Sequence, residues 1–372
     1  MLAKDNTKSC YIHIPFCKEI CSYCDFCKLY SNSKFIDKYL NALEKELNDI
    51  YRGEVLDTIY IGGGTPSVLN IKELRKLFNI INKLNKSKNC SITIENNFES
   101  ITKKKLDLYK ENNVNRLSFG IETTNTKLLK LLNRKLNKNK VEEIIKYAKD
   151  IGIDDINLDL IYALPGESID DVRKDLNYIL SLNPTHISTY SLMIEEHTFM
   201  YINNVKNIDE EIDLNMYKEI IKVLKNNKYK HYEISNFAKE NYESKHNLTY
   251  WHNNTYYGFG LAAASYLNNE RYINTRSINK YIEGNRIKEK EILSKEDSMD
   301  YEIMLNLRLS EGINKDNFYK KYNIHLEDYI NYKDLVNKKY LIETNNKLYI
   351  PEKYFYISNN IILELLNHWK NN

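Results

Sequence analysis

Apolar residues at Ile36, Leu40, Leu43, Leu47 and Ile50 recur at the three-four spacing of one buried helical face and predict a helix over 35–51. Short β-rich runs predict strands at 11–15, 57–61, 90–95, 114–121, 155–162 and 185–194. Between and after them, helical patterning falls at 71–84, 102–112, 128–132 with 141–150, 169–182 and 210–225. Six strand-then-helix units in a row imply a parallel α/β sheet. Six are too few to close an eight-fold barrel. The expected fold is therefore a partial (βα)6 barrel, with a doubly wound sheet as the alternative. In both, chemistry collects at the C-terminal ends of the strands.

Past residue 230 the pattern changes. Residues 232–275 are rich in aromatics and Asn and read as strands and loops. Short helices return from Asp297, a hairpin is expected over 338–351 with its turn at Asn345-Asn346, and a helix over 357–369 closes the chain. The expected division is a barrel over 1–230, an aromatic-rich extension over 231–295 and a small winged-helix-like domain over 296–372. Such a domain binds DNA or serves packing and docking. The absence of a basic stripe favours the second and excludes nucleic acid as the expected partner.

Of the 372 residues, 42% are hydrophobic and 28% charged, with a net charge of +3, so a strong nucleic-acid or membrane-surface field is not expected. No apolar run approaches the roughly 20 residues of a membrane span. The N-terminal stretch Met1 to Ser9 lacks the apolar core of a signal peptide, so the expected location is cytoplasmic. Only eleven glycines occur, and three of them are adjacent at Gly62, Gly63 and Gly64.

Four of the six cysteines, Cys17, Cys21, Cys24 and Cys27, fall within eleven residues. In a reducing compartment such a cluster argues for metal or catalysis over disulfides. Cys17, Cys21 and Cys24 lie in one loop just after the first predicted strand. They can hold three irons of a cubane cluster and leave the fourth open to a small molecule. A zinc site with Cys27 or His13 as a further ligand, or buried inert thiols, would also fit the spacing.

The CxxxCxxC loop after the first strand of a βα barrel resembles that of the radical S-adenosylmethionine (SAM) superfamily. In that family the open iron chelates the amino and carboxylate groups of SAM, and Tyr23 matches the aromatic beside the adenine. The glycine run after the second strand offers a bare backbone edge, which in that family receives the SAM ammonium. Glu95, Glu122 and Asp159 stand at or near later strand ends, where carboxylates can accept ribose hydroxyls. Arg134 can clamp the methionine carboxylate in a bidentate pair.

A narrower resemblance runs from about residue 11 to 309. It is to the branch holding the oxygen-independent coproporphyrinogen III oxidases and the HemW heme chaperones. It rests on Tyr11-Ile-His-Ile-Pro-Phe-Cys17, Gly62-Gly-Gly-Thr-Pro-Ser67, Asn115-Arg-Leu-Ser118, Asp159-Leu-Ile-Tyr162, Leu164-Pro-Gly166, Tyr232-Glu-Ile-Ser-Asn-Phe-Ala238, His246-Asn-Leu-Thr-Tyr-Trp251 and Leu305-Asn-Leu-Arg-Leu309. The resemblance implies SAM contacts at Tyr11, Tyr23, Gly63, Gly64, Thr65, Glu95, Glu122, Arg134 and Asp159.

Phe26 stands where the oxidases carry a fourth cysteine, and only sixteen residues precede Cys17, against a long N-terminal cover in the oxidases. Both features point to the chaperone side of the branch. His246-Asn-Leu-Thr-Tyr-Trp251 matches the chaperones' HNxxYW sequence associated with heme. His246 is the implied axial ligand, and Tyr250 and Trp251 are flat surfaces for the macrocycle. From the residues alone, His246 is equally an interior histidine beside an aromatic core. The chain departs from the family at Glu122 (usually Gln), Ala163 (usually Gly), Ala262-Ala263-Ala264 (Gly-Ala-His) and Leu136 (His).

The implied function is a heme carrier that holds a 4Fe–4S cluster and SAM and delivers heme to respiratory hemoproteins at the membrane surface, as a monomer or weak homodimer. An enzyme performing radical oxidative decarboxylation of coproporphyrinogen, and a zinc-stabilised binding protein, are the alternatives.

Overall fold

The structure is a computed structural model that describes residues 7–370, with side chains through residue 367. The first six residues of the stretch inspected for a leader, and the last two of the chain, lie outside the described residues. No helix among those described is long and apolar enough to cross a membrane.

The chain opens with β1 (Ser9–Ile14), then two short strands, β2 (Phe16–Cys17) and β3 (Leu29–Tyr30), that pair with each other across the cysteine loop. There follow α1 (Ser33–Ile50), β4 (Leu56–Gly63), α2 (Ile71–Ile81), β5 (Lys86–Asn96), α3 (Lys103–Glu111) and β6 (Arg116–Glu122). Next come α4 (Thr126–Leu131), α5 (Lys138–Asp150), β7 (Asp155–Tyr162), α6 (Ile169–Ser181), β8 (His186–Ser191), α7 (Phe199–Ile202) and α8 (Glu210–Asn226). Helix starts are written in the sequence. Asn32, Thr102, Asn125, Asn137 and Asp209 each cap a helix with a side-chain oxygen, and Asn70 with Glu73 and Ser168 with Asp171 form reciprocal boxes.

The strands β1, β4, β5, β6, β7 and β8 are parallel and sequential, as the alternating pattern requires. All seven residues of β6 are buried, as expected of a strand covered on both faces. The sheet does not close. It gains edge strands from the aromatic-rich segment: β9 (Lys230–Glu233) and β10 (Asn236–Ala238) add antiparallel beyond β8, and β11 (Tyr257–Phe259) adds parallel beside β1, giving nine strands.

Two local expectations are corrected. The glycine run does not simply follow a strand. β4 continues through Gly63, because His13 and Ile14 pair with Gly62 and Gly63 in the parallel ladder. Within the segment read as strands and loops, α9 (Lys245–Trp251) is a helix that starts on Ser244, whose side chain accepts from the Asn247 backbone N–H. Its aromatic side chains mask a helical period over only seven residues.

The remaining elements are β12 (Ala264–Leu267), β13 (Glu270–Asn274), α10 (Ile278–Glu283) and β14 (Ile287–Ile292), then α11 (Lys295–Asn306) and further short helices. The hairpin is present, with Ile342 opposite Tyr349 and Glu343 opposite Leu348, and a helix over Ser358–Lys370 follows it. One apolar cluster includes both Cys10 of β1 and Leu365 of the last helix. Gly258 of β11 is a tight point, since a Cβ there would lie 1.8 Å from the Ala264 carbonyl oxygen. Gly258→Ala is expected to destabilise the fold by about 3 kcal/mol, because backbone on both sides must move. Urea unfolding measures it, and an unchanged midpoint would contradict this packing.

Candidate functional site

The C-terminal strand ends surround a cavity of about 450 Å3. Cys17 ends β2, and Cys21 and Cys24 follow in the loop; all three thiols line this cavity, together with Tyr23. Cys27, three residues later, does not. It lines a second cavity of about 510 Å3. The loop is tied to its surroundings by backbone groups. Ser22 donates from its N–H to the Leu132 carbonyl at 3.1 Å, and from its hydroxyl to the Leu131 carbonyl at 2.6 Å. The Met200 N–H donates to the Ser22 carbonyl at 3.0 Å.

Gly63, Gly64 and Thr65 form the floor beside Cys17. The Gly64 N–H donates to the Ile14 carbonyl at 2.9 Å, and Thr65 Oγ1 donates to Cys17 Sγ at 3.6 Å. A Cβ on Gly64 would sit 2.9 Å from that sulfur, so the thiol stands over bare backbone. Burial raises all three thiols above the usual cysteine range, Cys24 to about 11. They therefore stay protonated at neutral pH until a cation replaces the proton.

The charged strand-end residues converge as expected. Glu95 accepts from Tyr60 Oη at 2.8 Å and from the Gly63 N–H at 2.9 Å. Arg134 reaches from after α4, donating to the Gly120 carbonyl at 3.1 Å and to Cys21 Sγ at 3.8 Å, with Glu122 Oε1 3.8 Å away. Asp159 accepts from Asn157 Nδ2 at 2.7 Å. Burial pushes Glu95 and Glu122 up to about 7 and raises Asp159 as well. The cavity thus concentrates acceptors suited to a cationic ligand, with one guanidinium placed for a carboxylate.

The sequence reading assigned no site role to Tyr60, Arg116, Ser118, Asn157, His186 and Ser188, all of which line the cavity. A signal existed. Ser118, Gly120 and Glu122 on β6, Asn157, Asp159 and Ile161 on β7, and His186, Ser188 and Tyr190 on β8 alternate at period two, and all nine face the lumen. Arg116 sits at the floor, 4% exposed, with Asp155 at 3.6 Å.

Two of the predicted residues, one expected at SAM and one at heme, line the second cavity. Tyr11 lines the second cavity and not the first; its hydroxyl contacts His13 Nδ1 at 2.9 Å. His246 also lines the second cavity, but both ring nitrogens are engaged, Nδ1 with Thr58 Oγ1 at 2.8 Å and Nε2 with Tyr250 Oη at 2.7 Å. Its ring stacks on Tyr60 at 5.1 Å, and burial lowers its pKa to about 3. It is a satisfied, neutral interior histidine in this conformation. Tyr250 faces the second cavity, whereas Trp251 packs under the Arg308 guanidinium, 5.7 Å from its ring centroid. Consecutive helical residues point about 100° apart, and Trp251 does not line this lumen. Glu122, Ala163 and Ala262, three of the departures from the family pattern, have left-handed φ of 63°, 61° and 56°.

An open parallel half-barrel that gathers a three-cysteine loop, a glycine strand end and a ring of carboxylates at one mouth is the architecture of a radical SAM protein. Residues 11–179 match the radical SAM superfamily, whose members carry a 4Fe–4S cluster and SAM. The fold superposes on the radical SAM enzyme coproporphyrinogen III oxidase of Escherichia coli with a TM-score of 0.85, at 21% identity, covering 96% of this chain and 90% of that one. The heme chaperone HemW of Lactococcus lactis is 36% identical over 377 residues, covering 98% of each chain. That of Bacillus subtilis is 38% identical over 334 residues, covering 86% of this chain and 88% of its own. The chain belongs to the HemW heme chaperone family.

Because Glu95 is raised in the fold from the ordinary 4.5 to about 7, the folded state keeps a proton that the unfolded chain releases across that window. Stability contributed by this group is present at low pH and is lost as pH climbs through 7. Glu95→Gln is expected to flatten the stability-versus-pH curve between about pH 5 and 7. Denaturant titrations across that range check it, and parallel curves for the two proteins would refute the assignment.

Proposed function

We propose that the chain is a heme chaperone that carries a 4Fe–4S cluster on Cys17, Cys21 and Cys24, holds SAM in the first cavity, and passes heme to recipient hemoproteins. The full-length likeness to proteins named heme chaperone supports the cargo. The observation that carries the site is the partition of the cysteines: three line one cavity and the fourth another. Among the described residues no three His, Cys, Asp or Glu side chains converge on a single ion, which disfavours zinc. A cubane takes one thiolate per iron and needs no such convergence.

When bound, the cluster supplies one-electron chemistry at its open iron. The chain's own residues supply binding and orientation. Gly63 and Gly64 offer backbone to the ligand's ammonium, Thr65 hydrogen-bonds the Cys17 sulfur, and Tyr23 supplies the face beside the adenine. Glu95, Glu122 and Asp159 accept from ammonium and ribose groups, and Arg134 meets the carboxylate. Tyr11 joins this set only from the second cavity, through Gly63 and Tyr60, which border both lumens. Heme occupies that second cavity in this proposal. His246 is one of its walls, and it reaches iron only by giving up Tyr250 or Thr58.

The proposal extends to a cytoplasmic location, where thiols stay reduced for the cluster, and to recipients met at the membrane surface by a monomer or weak homodimer. It also keeps the division into a barrel over 1–230, an extension over 231–295 and a closing domain over 296–372.

Anaerobically purified protein titrated with hemin is expected to shift the Soret band to saturation. The Cys17→Ala, Cys21→Ala, Cys24→Ala triple variant is expected to lose its cluster iron while still binding hemin. Coproporphyrinogen with SAM and reductant is expected to give no protoporphyrinogen. A hemin spectrum unchanged by the protein, or formation of that product, would replace this reading with another.

A further inference from the structure

The floor of the first cavity carries a buried positive charge that the cluster and SAM leave unused. Arg116 begins β6, is buried and lines the cavity. Asp155 Oδ2 stands 3.6 Å from its Nε, beyond hydrogen-bond distance, and Nε donates to no group among the described residues. The neutral groups around it are already spent on one another. Asn157 Nδ2 donates to Ser118 Oγ and to Asp159 Oδ1, each at 2.7 Å. Asn157 Oδ1 accepts from Ser188 Oγ at 3.0 Å and from His186 Nδ1 at 2.6 Å. With Nδ1 donating, His186 Nε2 accepts from Tyr232 Oη at 2.8 Å. A buried guanidinium without a hydrogen-bonded counter-charge is costly, so an anion brought to this floor gains what the fold itself does not supply.

SAM does not need this cation. Its carboxylate has Arg134 at the mouth, and the Gly120 carbonyl that Arg134 holds lies about 13 Å along β6 from Arg116. The floor leads instead toward α9. Asn247 of that helix lines both cavities, as do Tyr60, Glu95 and Tyr190, whereas His246 and Tyr250 line the second. Burial first, and the Arg116 charge second, lower the pKa of both His186 and His246, so the charge is felt from the floor to α9. A flat ligand lying against α9 in the second cavity can therefore send a flexible acidic arm past Asn247 to the guanidinium.

We propose that Arg116 anchors one propionate of the heme. The macrocycle lies in the second cavity against α9, and its carboxylate crosses beside Asn247 to accept from the Arg116 guanidinium. This rests on the heme-carrier reading and adds a recognition contact to it. The contact is a charge-assisted hydrogen bond, with no transfer of proton or electron.

The test compares hemin with its dimethyl ester, whose propionates are masked, on the full chain with its cluster intact under anaerobic conditions. Wild type is expected to bind hemin roughly tenfold more tightly than the ester. Arg116→Gln is expected to lose that preference, with hemin weakened to the level of the ester and the ester unchanged. Arg116→Lys is expected to restore part of it. Cluster iron at the wild-type level in both variants reports that they fold. Equal binding of hemin and ester by wild type would overturn the inference without any variant. So would a preference that survives in Arg116→Gln, or an equal loss for both ligands, which would make Arg116 a structural partner of Asp155. Weakened SAM binding with hemin unaffected would assign the guanidinium to SAM and overturn it as well. Each of these leaves the carrier reading standing, whereas no hemin binding by wild type would overturn that reading itself.

Discussion

One imidazole organises the site. His13 donates from Nε2 to the Cys27 carbonyl and accepts at Nδ1 from Tyr11, so it joins the first strand to the far end of the cysteine loop. It can sit there because Gly63 has no side chain: a Cβ at that position, with φ of 115°, would lie 2.5 Å from the ring. The glycine run therefore does more than let a ligand approach backbone. It makes room for the ring that holds the Cys27 carbonyl. Burial holds His13 neutral, its pKa lowered to about 4, so the bridge keeps its polarity across the physiological range.

The first cavity is built from charges that each pay a desolvation cost alone and are worth keeping only near a ligand. Glu95, Glu122 and Asp159 are all raised by burial. Arg134 stands between Glu122 and the Cys21 sulfur, and Arg116 lies deeper beside Asp155. A sulfonium ligand that also carries an ammonium and a carboxylate complements this set on both signs. Perturbed carboxyls clustered in one concave site are the pattern expected of a functional site.

The departures from the family pattern acquire a physical meaning in the backbone. Ala163 and Ala262 stand where glycine is usual, and both adopt the left-handed conformation that a Cβ disfavours by about 1–2 kcal/mol. The chain keeps the turn and tolerates the strain. Glu122, also left-handed, sits at the cavity edge, where its carboxylate is 3.8 Å from Arg134. Its neighbour Gly120 leaves the space that the carboxylate takes, since a Cβ there would come within 2.3 Å of Glu122 Oε1 and the side chain would have to shift. Strain collected at a ligand-facing turn is a usual companion of function.

Strand-helix alternation, helix caps and the cysteine spacing are local properties, so they were legible from the chain. They specified the six parallel strands, the mouth at their C-terminal ends and the three thiols that line it. The edge strands β10 and β11, and β9 that pairs with β10, were not legible in kind, because pairing with β8 and β1 depends on partners 48 to 247 residues away rather than on their own short patterns. Nor could the sequence say that Tyr11 turns into the second cavity, that His246 lines that cavity with both ring nitrogens engaged, or that Cys27 leaves the triplet it follows. Those outcomes hang on hydrogen bonds such as Thr58 to His246, between residues 188 apart in the chain. Spacing reports which groups are near each other along a loop. Only packing in three dimensions determines which lumen each group faces and which lone pairs are already taken.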